Sequence, residues 1–305
     1  MINTIIADIS AKMPSVIRWA GAIASELRKH NVSLTNKSSG YATTDALTLA
    51  DLTVQELVVA ALRDHVPSSR QLRIEAEEAN GALTAFATES EYVIALDPID
   101  GTKQFRDHSG DGWAIMLHIR NETSVIYSLV LTPAMGEQGT WLEAGLNGIR
   151  CGLDDWSRSA EEVIASFPVV TKENIPPSEN VYMINFMKED PIKAALVNET
   201  GLKAFLPDDM PGSIYPLMAQ GRFGGSLIHT PNIYDYPVSL HLARLLGGES
   251  VWVHNGEPVN FRTTWMDERA GMLRLPGVIA TAINKEHLDK LVRVAKDWDQ
   301  RRYRD

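Results

Sequence analysis

Cysteine is almost missing from this chain. Cys151 stands alone among 305 residues, so no disulfide can close within the chain and a thiolate metal cluster is excluded. Long apolar runs are missing as well: no stretch approaches about 18 uninterrupted apolar residues, the length at which a bilayer span begins. Positive charge is in deficit. With 29 Lys and Arg against 39 Asp and Glu the net charge is −10, which argues against a broad basic surface for a nucleic-acid polymer. Met1 to Ala11 lack a basic segment followed by a sustained apolar run, so a cytoplasmic protein with no secretory leader and no membrane partner is expected. Short-period repeats and low-complexity tracts are absent too. The chain is 44% hydrophobic, enough to bury one large core or two subdomains.

What the chain does have is carboxylates at turns. Asp97-Pro98-Ile99-Asp100-Gly101-Thr102 ends the apolar stretch Tyr92-Val93-Ile94-Ala95-Leu96. Pro98 fixes its φ and lacks an N–H, while Gly101 admits backbone angles other residues resist, so the chain can turn sharply with both Asp side chains converging. Oxygen donors of this kind suit Mg²⁺, which prefers carboxylates, waters and substrate phosphate oxygens. Asp, Pro and Gly are also ordinary turn formers, so a plain loop start is the competing reading. Upstream, Glu77 and Glu78 close a short strand-like segment that begins at Arg73. Neighbouring side chains on a strand face opposite ways, so one of the two Glu is expected to enter a site. Asp51 opens a helical pattern of Val54, Leu57, Val58, Ala61 and Leu62, where it is either a capping charge or a site residue.

The order of these motifs resembles the inositol monophosphatase family of Mg²⁺-dependent, lithium-sensitive phosphomonoesterases. Lys37-Ser38-Ser39 precedes Asp45 and Asp51; Glu77-Glu78 and the Asp97 to Thr102 run with Phe105 follow; then come Ala144-Gly145-Leu146-Asn147-Gly148, Gly212-Ser213, and Tyr234-Asp235 ahead of Leu245-Leu246-Gly247-Gly248. The resemblance covers residues from about 15 to about 290. It implies that Glu77, Asp97 and the Ile99 carbonyl hold one metal and that Asp97, Asp100 and Asp235 hold a second, with a third ion leaning on Glu77. Thr102 and Asp51 resemble the pair that orients and deprotonates the attacking water. Gly101 and Thr102 would hold phosphate through backbone N–H groups, with Gly212 and Ser213 on the substrate side. A homodimer is implied likewise.

Two departures bear on the substrate. The family's Trp-Asp pair is Tyr234-Asp235 here, and its small Ala-Ala-Gly continuation becomes Tyr236-Pro237-Val238-Ser239. The Glu that inositol enzymes carry ahead of that pair is absent from Ser226-Leu227-Ile228-His229-Thr230-Pro231-Asn232, which leaves His229, Thr230 and Asn232 as candidates for sugar hydroxyls. Lys103 resembles the Lys of the family's bisphosphate nucleotidases. The expected function is hydrolysis of an inositol or sugar phosphate, with two alternatives: a 3′(2′),5′-bisphosphate nucleotidase and a catalytically idle binder of a phosphorylated ligand.

Helices are expected over 13–30 and 45–65, with a hairpin made of 113–119 and 125–131. A polar stretch from Asp154 to Glu162 divides the chain into halves, 1–153 and 154–305. The second half reads as a strand at 181–186 with helices near 192–205, 213–221, 235–246 and 284–302. This pattern is α+β or layered α/β, and the resemblance sharpens it to an αβαβα sandwich whose active site lies between the halves.

Overall fold

The apolar run after Trp113 is buried on both of its faces, and that fact organises the fold. In β3 (Ala114–Arg120), Ile115, Leu117 and Ile119 point into one core while Ala114 and Met116 point into another, as strand alternation requires. β4 (Val125–Thr132) repeats the pattern with Leu129 and Leu131 opposed to Val130. The two strands pair antiparallel as the expected hairpin. A sheet covered on both sides needs layers above and below it.

In a computed structural model, residues 1–30, 32–34 and 47–303 are described. Lys37-Ser38-Ser39 and Asp45 lie outside the described residues. The first sheet has seven strands in chain order. β1 (Arg73–Ala76) pairs parallel with β2 (Val93–Asp100), and the remaining pairs run antiparallel through β3, β4, β5 (Thr140–Gly145), β6 (Gly148–Leu153) and β7 (Val169–Val170). On its outer face lie α1 (Ile2–His30) and α2 (Leu49–His65). Ile5, Ile9, Met13 and Ile17 are buried at helical spacing along α1, and this stripe continues through Pro14. The helix therefore begins at Ile2 rather than at 13.

α3 (Thr102–Asp107) follows β2, and α4 (Ala160–Ser166) packs Ala160, Val163 and Ile164 into the core under α1. β7 also pairs with β6. Residues 154–170 thus belong with the first sheet, and the change of sheet falls after Val170 rather than at 153/154.

The second sheet has the order β11 (Glu249–Trp252), β14 (Val278–Ala282), β10 (Gly225–His229), β8 (Asn180–Ile184), β9 (Lys203–Phe205). Between the sheets lie α6 (Ile214–Ala219) and α7 (Tyr236–Leu245), whose Leu217, Met218, Val238 and Leu242 meet Met116, Val130 and Leu142 of the first sheet. α5 (Asp190–Asn198) and α8 (Lys285–Ala295) close the far side through Val197, Leu291 and Ala295. The layers are α, β, α, β, α. The helix expected over 192–205 is α5 followed by β9, because Gly201 turns at φ +85° between them. The last helix stops at Ala295, and Gln300 beyond it accepts the Val278 N–H at 2.9 Å. A small hairpin, β12 (Trp265–Asp267) and β13 (Met272–Arg274), stands beside the loop that leads into α7. Among the described residues no helix is long and apolar enough to cross a membrane.

Candidate active site

The end of β2 is irregular where its motif lies. Its pairing with β3 shifts register between Asp97 and Asp100, since Pro98 cannot donate to the ladder. The Ile99 N–H turns instead to Asp97 Oδ1 at 3.0 Å, and Gly101 follows at φ +80°. α3 starts at once. These two turns aim Asp97 and Asp100 into a cleft between the sheets, where they meet Asp235 at the head of α7. Carboxylate oxygens of the three lie within 4.8 Å of one another.

Asp235 occupies the position where a capping Asp would stand, yet its carboxylate completes this triad. Its loop is held by Asn232, whose Oδ1 accepts the N–H groups of Tyr234 at 2.8 Å and Asp235 at 3.0 Å, an Asx turn of the usual kind. Glu77 and Glu78 lie just past β1, so alternation on a strand does not govern them. Both are buried. Glu77 faces Asp97, while Glu78 has its backbone pinned by Gln55 (N–H to Oε1, 3.0 Å) and its charge near Asp51. One Glu therefore joins the cluster, and it is Glu77.

Burial, reinforced by the Glu77 charge, pushes Asp97 well above the usual carboxylate range; burial and Asp235 do the same to Asp100. Asp235 is pushed up to about 6, by burial first and Glu77 second. Asp97 and Glu77 are buried and Asp100 and Asp235 half-buried; carboxylates that crowd one another in this way favour a cation, and an all-oxygen donor set with the Ile99 carbonyl alongside suits a hard divalent ion. The residues fit Mg²⁺.

Beside the triad stands Thr102, its hydroxyl 2.8 Å from the Ile99 carbonyl and 3.3 Å from Asp51 Oδ1. Asp51 uses its other oxygen as a helix cap: Oδ2 accepts the Thr48 N–H and hydroxyl, each at 2.7 Å, in a capping box. Burial lifts this carboxyl to about 7.

Gly101, Gly212 and Ser213, expected on the substrate side, line the cleft with Gln104, Tyr182 and Asn185. Two expected substrate residues do not join them. Lys103 Nζ reaches across to Asp208 at 3.1 Å instead. His229 points the other way, because Ile228 takes the cleft side of β10; it stacks on Phe186 with centroids 5.6 Å apart and is depressed to about 4 by burial. Arg274 was not anticipated at all. It lines the acidic cavity with Glu77, Asp97 and Asp235, and no local pattern announces it, since it is fixed by contacts with Asp267 and the distant Thr230.

The model of the inositol monophosphatase family matches residues 9–196. The chain belongs to that family. The matched span contains Asp51, Glu77 and Asp97 to Thr102 and stops short of Asp235. Comparison with curated proteins finds no sequence match. Among solved structures, the chain is similar to the Thermotoga maritima IMPase at 18% identity, covering 93% of this chain and 97% of that one with a TM-score of 0.62. The extragenic suppressor protein suhB from Bartonella henselae follows at 14% identity, 94% and 98% coverage and TM-score 0.63. An IMPase/NADP phosphatase complexed with Mg²⁺ and phosphate has 16% identity, 91% and 90% coverage and TM-score 0.62. At these identities the likeness establishes the inositol monophosphatase fold.

Proposed function

We propose that this family member is a Mg²⁺-dependent phosphomonoesterase that hydrolyses an inositol or sugar phosphate. The observation that carries the reading is the convergence of Asp97, Asp100 and Asp235 from β2 and α7, directly beside the Thr102–Asp51 pair. Glu77, Asp97, the Ile99 carbonyl, Asp100 and Asp235 would hold two to three ions. Mg²⁺ supplies charge neutralisation for the phosphate dianion and a Lewis acid for its oxygens.

The chain's own groups do the rest. The Thr102 hydroxyl donates to the Ile99 carbonyl at 2.8 Å and has Asp51 Oδ1 at 3.3 Å; turning its one hydrogen to Asp51 would leave a lone pair to orient an attacking water. Asp51, fixed by Thr48 through Oδ2 and facing Thr102 through Oδ1, would receive the proton as general base. Gly101 and Thr102 stand at the head of α3, where backbone N–H groups lack partners inside the helix; the Gly101 N–H meets the Asp100 carboxylate, and the Thr102 N–H would be the donor to a phosphate oxygen. The walls farther out are neutral: Tyr182, Asn185, Ser213 and Gln104 line the cleft with no Lys or Arg on that side among the described residues. Lys103 is engaged by Asp208. This favours an uncharged alcohol as leaving group over a nucleotide bearing a second phosphate. The same family membership leads us to propose lithium sensitivity and a homodimer, the latter read by sedimentation.

The test is phosphate release from inositol phosphates, sugar phosphates and adenosine 3′,5′-bisphosphate, with Mg²⁺ and with chelator, by the native protein and by Asp97→Asn. Metal-dependent release from the polyol esters is expected, with a loss of about 10³-fold or more in the variant. Release that ignores both chelator and variant overturns the proposal. Preference for the bisphosphate would select the nucleotidase reading instead, and no turnover with intact Mg²⁺ binding would select the idle binder.

A further inference from the structure

Behind the acidic cavity Arg274, Asp267 and Arg302 are buried together. Arg274 donates from Nε to Asp267 Oδ2 at 2.7 Å, with side chains 2% and 1% exposed. Asp267 also accepts the Tyr303 hydroxyl at 3.0 Å and lies 3.4 Å from Arg302 Nε. Both guanidinium groups thus reach the Asp267 carboxylate, and a buried charge cluster of this kind depends on its hydrogen-bond geometry.

That geometry converges on the loop that carries Asp235. Arg274 Nη1 donates to the Thr230 carbonyl at 3.1 Å, and Arg302 Nη1 donates to the Thr230 hydroxyl at 3.1 Å. Thr230 sits at φ +45°, a conformation a β-branched residue adopts only when its surroundings impose it. From there the chain runs through Pro231, whose carbonyl accepts the Leu275 N–H at 2.9 Å, to Asn232 and its grip on Asp235. Arg274 and Met272 meanwhile form part of the cavity wall, and Arg274 Nη2 meets the Met272 sulfur at 3.3 Å.

We infer that Arg274 is a positioning residue for the metal cluster: bridging Asp267 and the Thr230 carbonyl, it fixes the 230–235 loop and so the place of Asp235, with Arg302 and Tyr303 bracing it from behind. The inference rests on the phosphatase reading above. Charge and position make opposite predictions here. If Arg274 acted only through its charge, neutralising it would remove a repulsion and tighten the binding of a cation. If it positions Asp235, the same change loosens binding.

Mn²⁺ affinity measured by electron paramagnetic resonance, without substrate, separates them. In Arg274→Gln the dissociation constant is expected to rise about 10- to 100-fold, the usual cost of losing a group that orients a metal ligand. Arg274→Lys keeps the charge but cannot bridge Asp267 and Thr230 together, so it should recover only part of the loss, and Tyr303→Phe should show a smaller loss of the same sign. Unchanged or tighter Mn²⁺ binding by a folded Arg274→Gln overturns the inference. Should that variant not fold, native affinity in Arg274→Lys overturns it equally. A wild-type chain that binds no Mn²⁺ removes the phosphatase reading itself, and the inference with it.

Discussion

Asp51 divides its work between two oxygens. Oδ2 closes the capping box at the start of α2, and Oδ1 faces the Thr102 hydroxyl. A capping charge and a site residue were competing readings of one position; the fold shows the cap, and it holds the other oxygen toward Thr102, where the proposed function would use it. Thr102→Ala should therefore lower kcat by about 10²-fold, the usual worth of a positioned proton-transfer group, while leaving the Mg²⁺ dissociation constant within about threefold. Steady-state kinetics alongside calorimetric titration checks this. A collapse of Mg²⁺ binding would move Thr102 from the water to the metals.

The residues of the site differ in how far sequence reveals them. Asp97 and Asp100 were legible from local chemistry, since a Pro and a Gly within one turn define their geometry. Asp235 was reached only through family resemblance, because nothing near it distinguishes a ligand from a cap. Arg274 left no trace, its partners being set by tertiary packing. His229 misled: strand alternation places either Ile228 or His229 in the cleft, and only the burial of its neighbours decides which.

At the scale of elements, β3 and β4 were readable because doubly buried strands are rich in apolar residues on both faces, whereas α5 and β9 merged into one expected helix because Gly201 alone marks the break. The cleft itself depends on elements meeting closely. A Cβ on Gly112 would stand 2.7 Å from the Gly212 carbonyl carbon and 2.8 Å from the Ser213 nitrogen. Backbone, unlike a flexible side chain, cannot yield there. Gly112→Ala should cost about 1–3 kcal/mol by overpacking and raise KM by displacing the Gly212–Ser213 wall, as urea unfolding and kinetics would show. An unchanged KM would mean that this wall does not touch substrate.

The contact of α7 with β4 carries a pH dependence. His241 meets Ser128 Oγ at 2.9 Å, and burial, aided by Arg244, depresses it from 6.5 to about 4. Between those two values the unfolded chain binds a proton that the folded chain refuses. The stabilisation is complete above pH 6.5 and is lost as pH falls toward 4, by about 3 kcal/mol at one pKa unit per 1.36 kcal/mol. His229 adds a second contribution of the same sign. Unfolding free energies of His241→Gln, measured across this window, should fall less steeply with acid than those of the native protein; equal slopes would exclude His241 as a source.

At the scale of the whole molecule, the carboxylates that would hold metal come from structures far apart in the chain. Asp97 and Asp100 end a strand of the first sheet. Asp235 heads a helix packed between both sheets and is braced by the β13 hairpin and the residues after α8. A cation bound among them stabilises only the state in which all these parts are assembled. Linkage sets the size: Mg²⁺ at 100 times its dissociation constant contributes about 2.7 kcal/mol to the native state, which for a chain of 305 residues corresponds to a rise in Tm of roughly 4 °C. Since Asp235 supplies the second sheet's share, Asp235→Asn should cut most of that rise while the metal-free Tm stays level or climbs, because the variant also removes a buried charge from a crowded cluster. Calorimetric scans of both proteins, with Mg²⁺ and with chelator, read this directly. One transition that moves as a unit supports coupling across the sheets, whereas two transitions of which Mg²⁺ shifts only the first would mean that the metals belong to the first sheet alone.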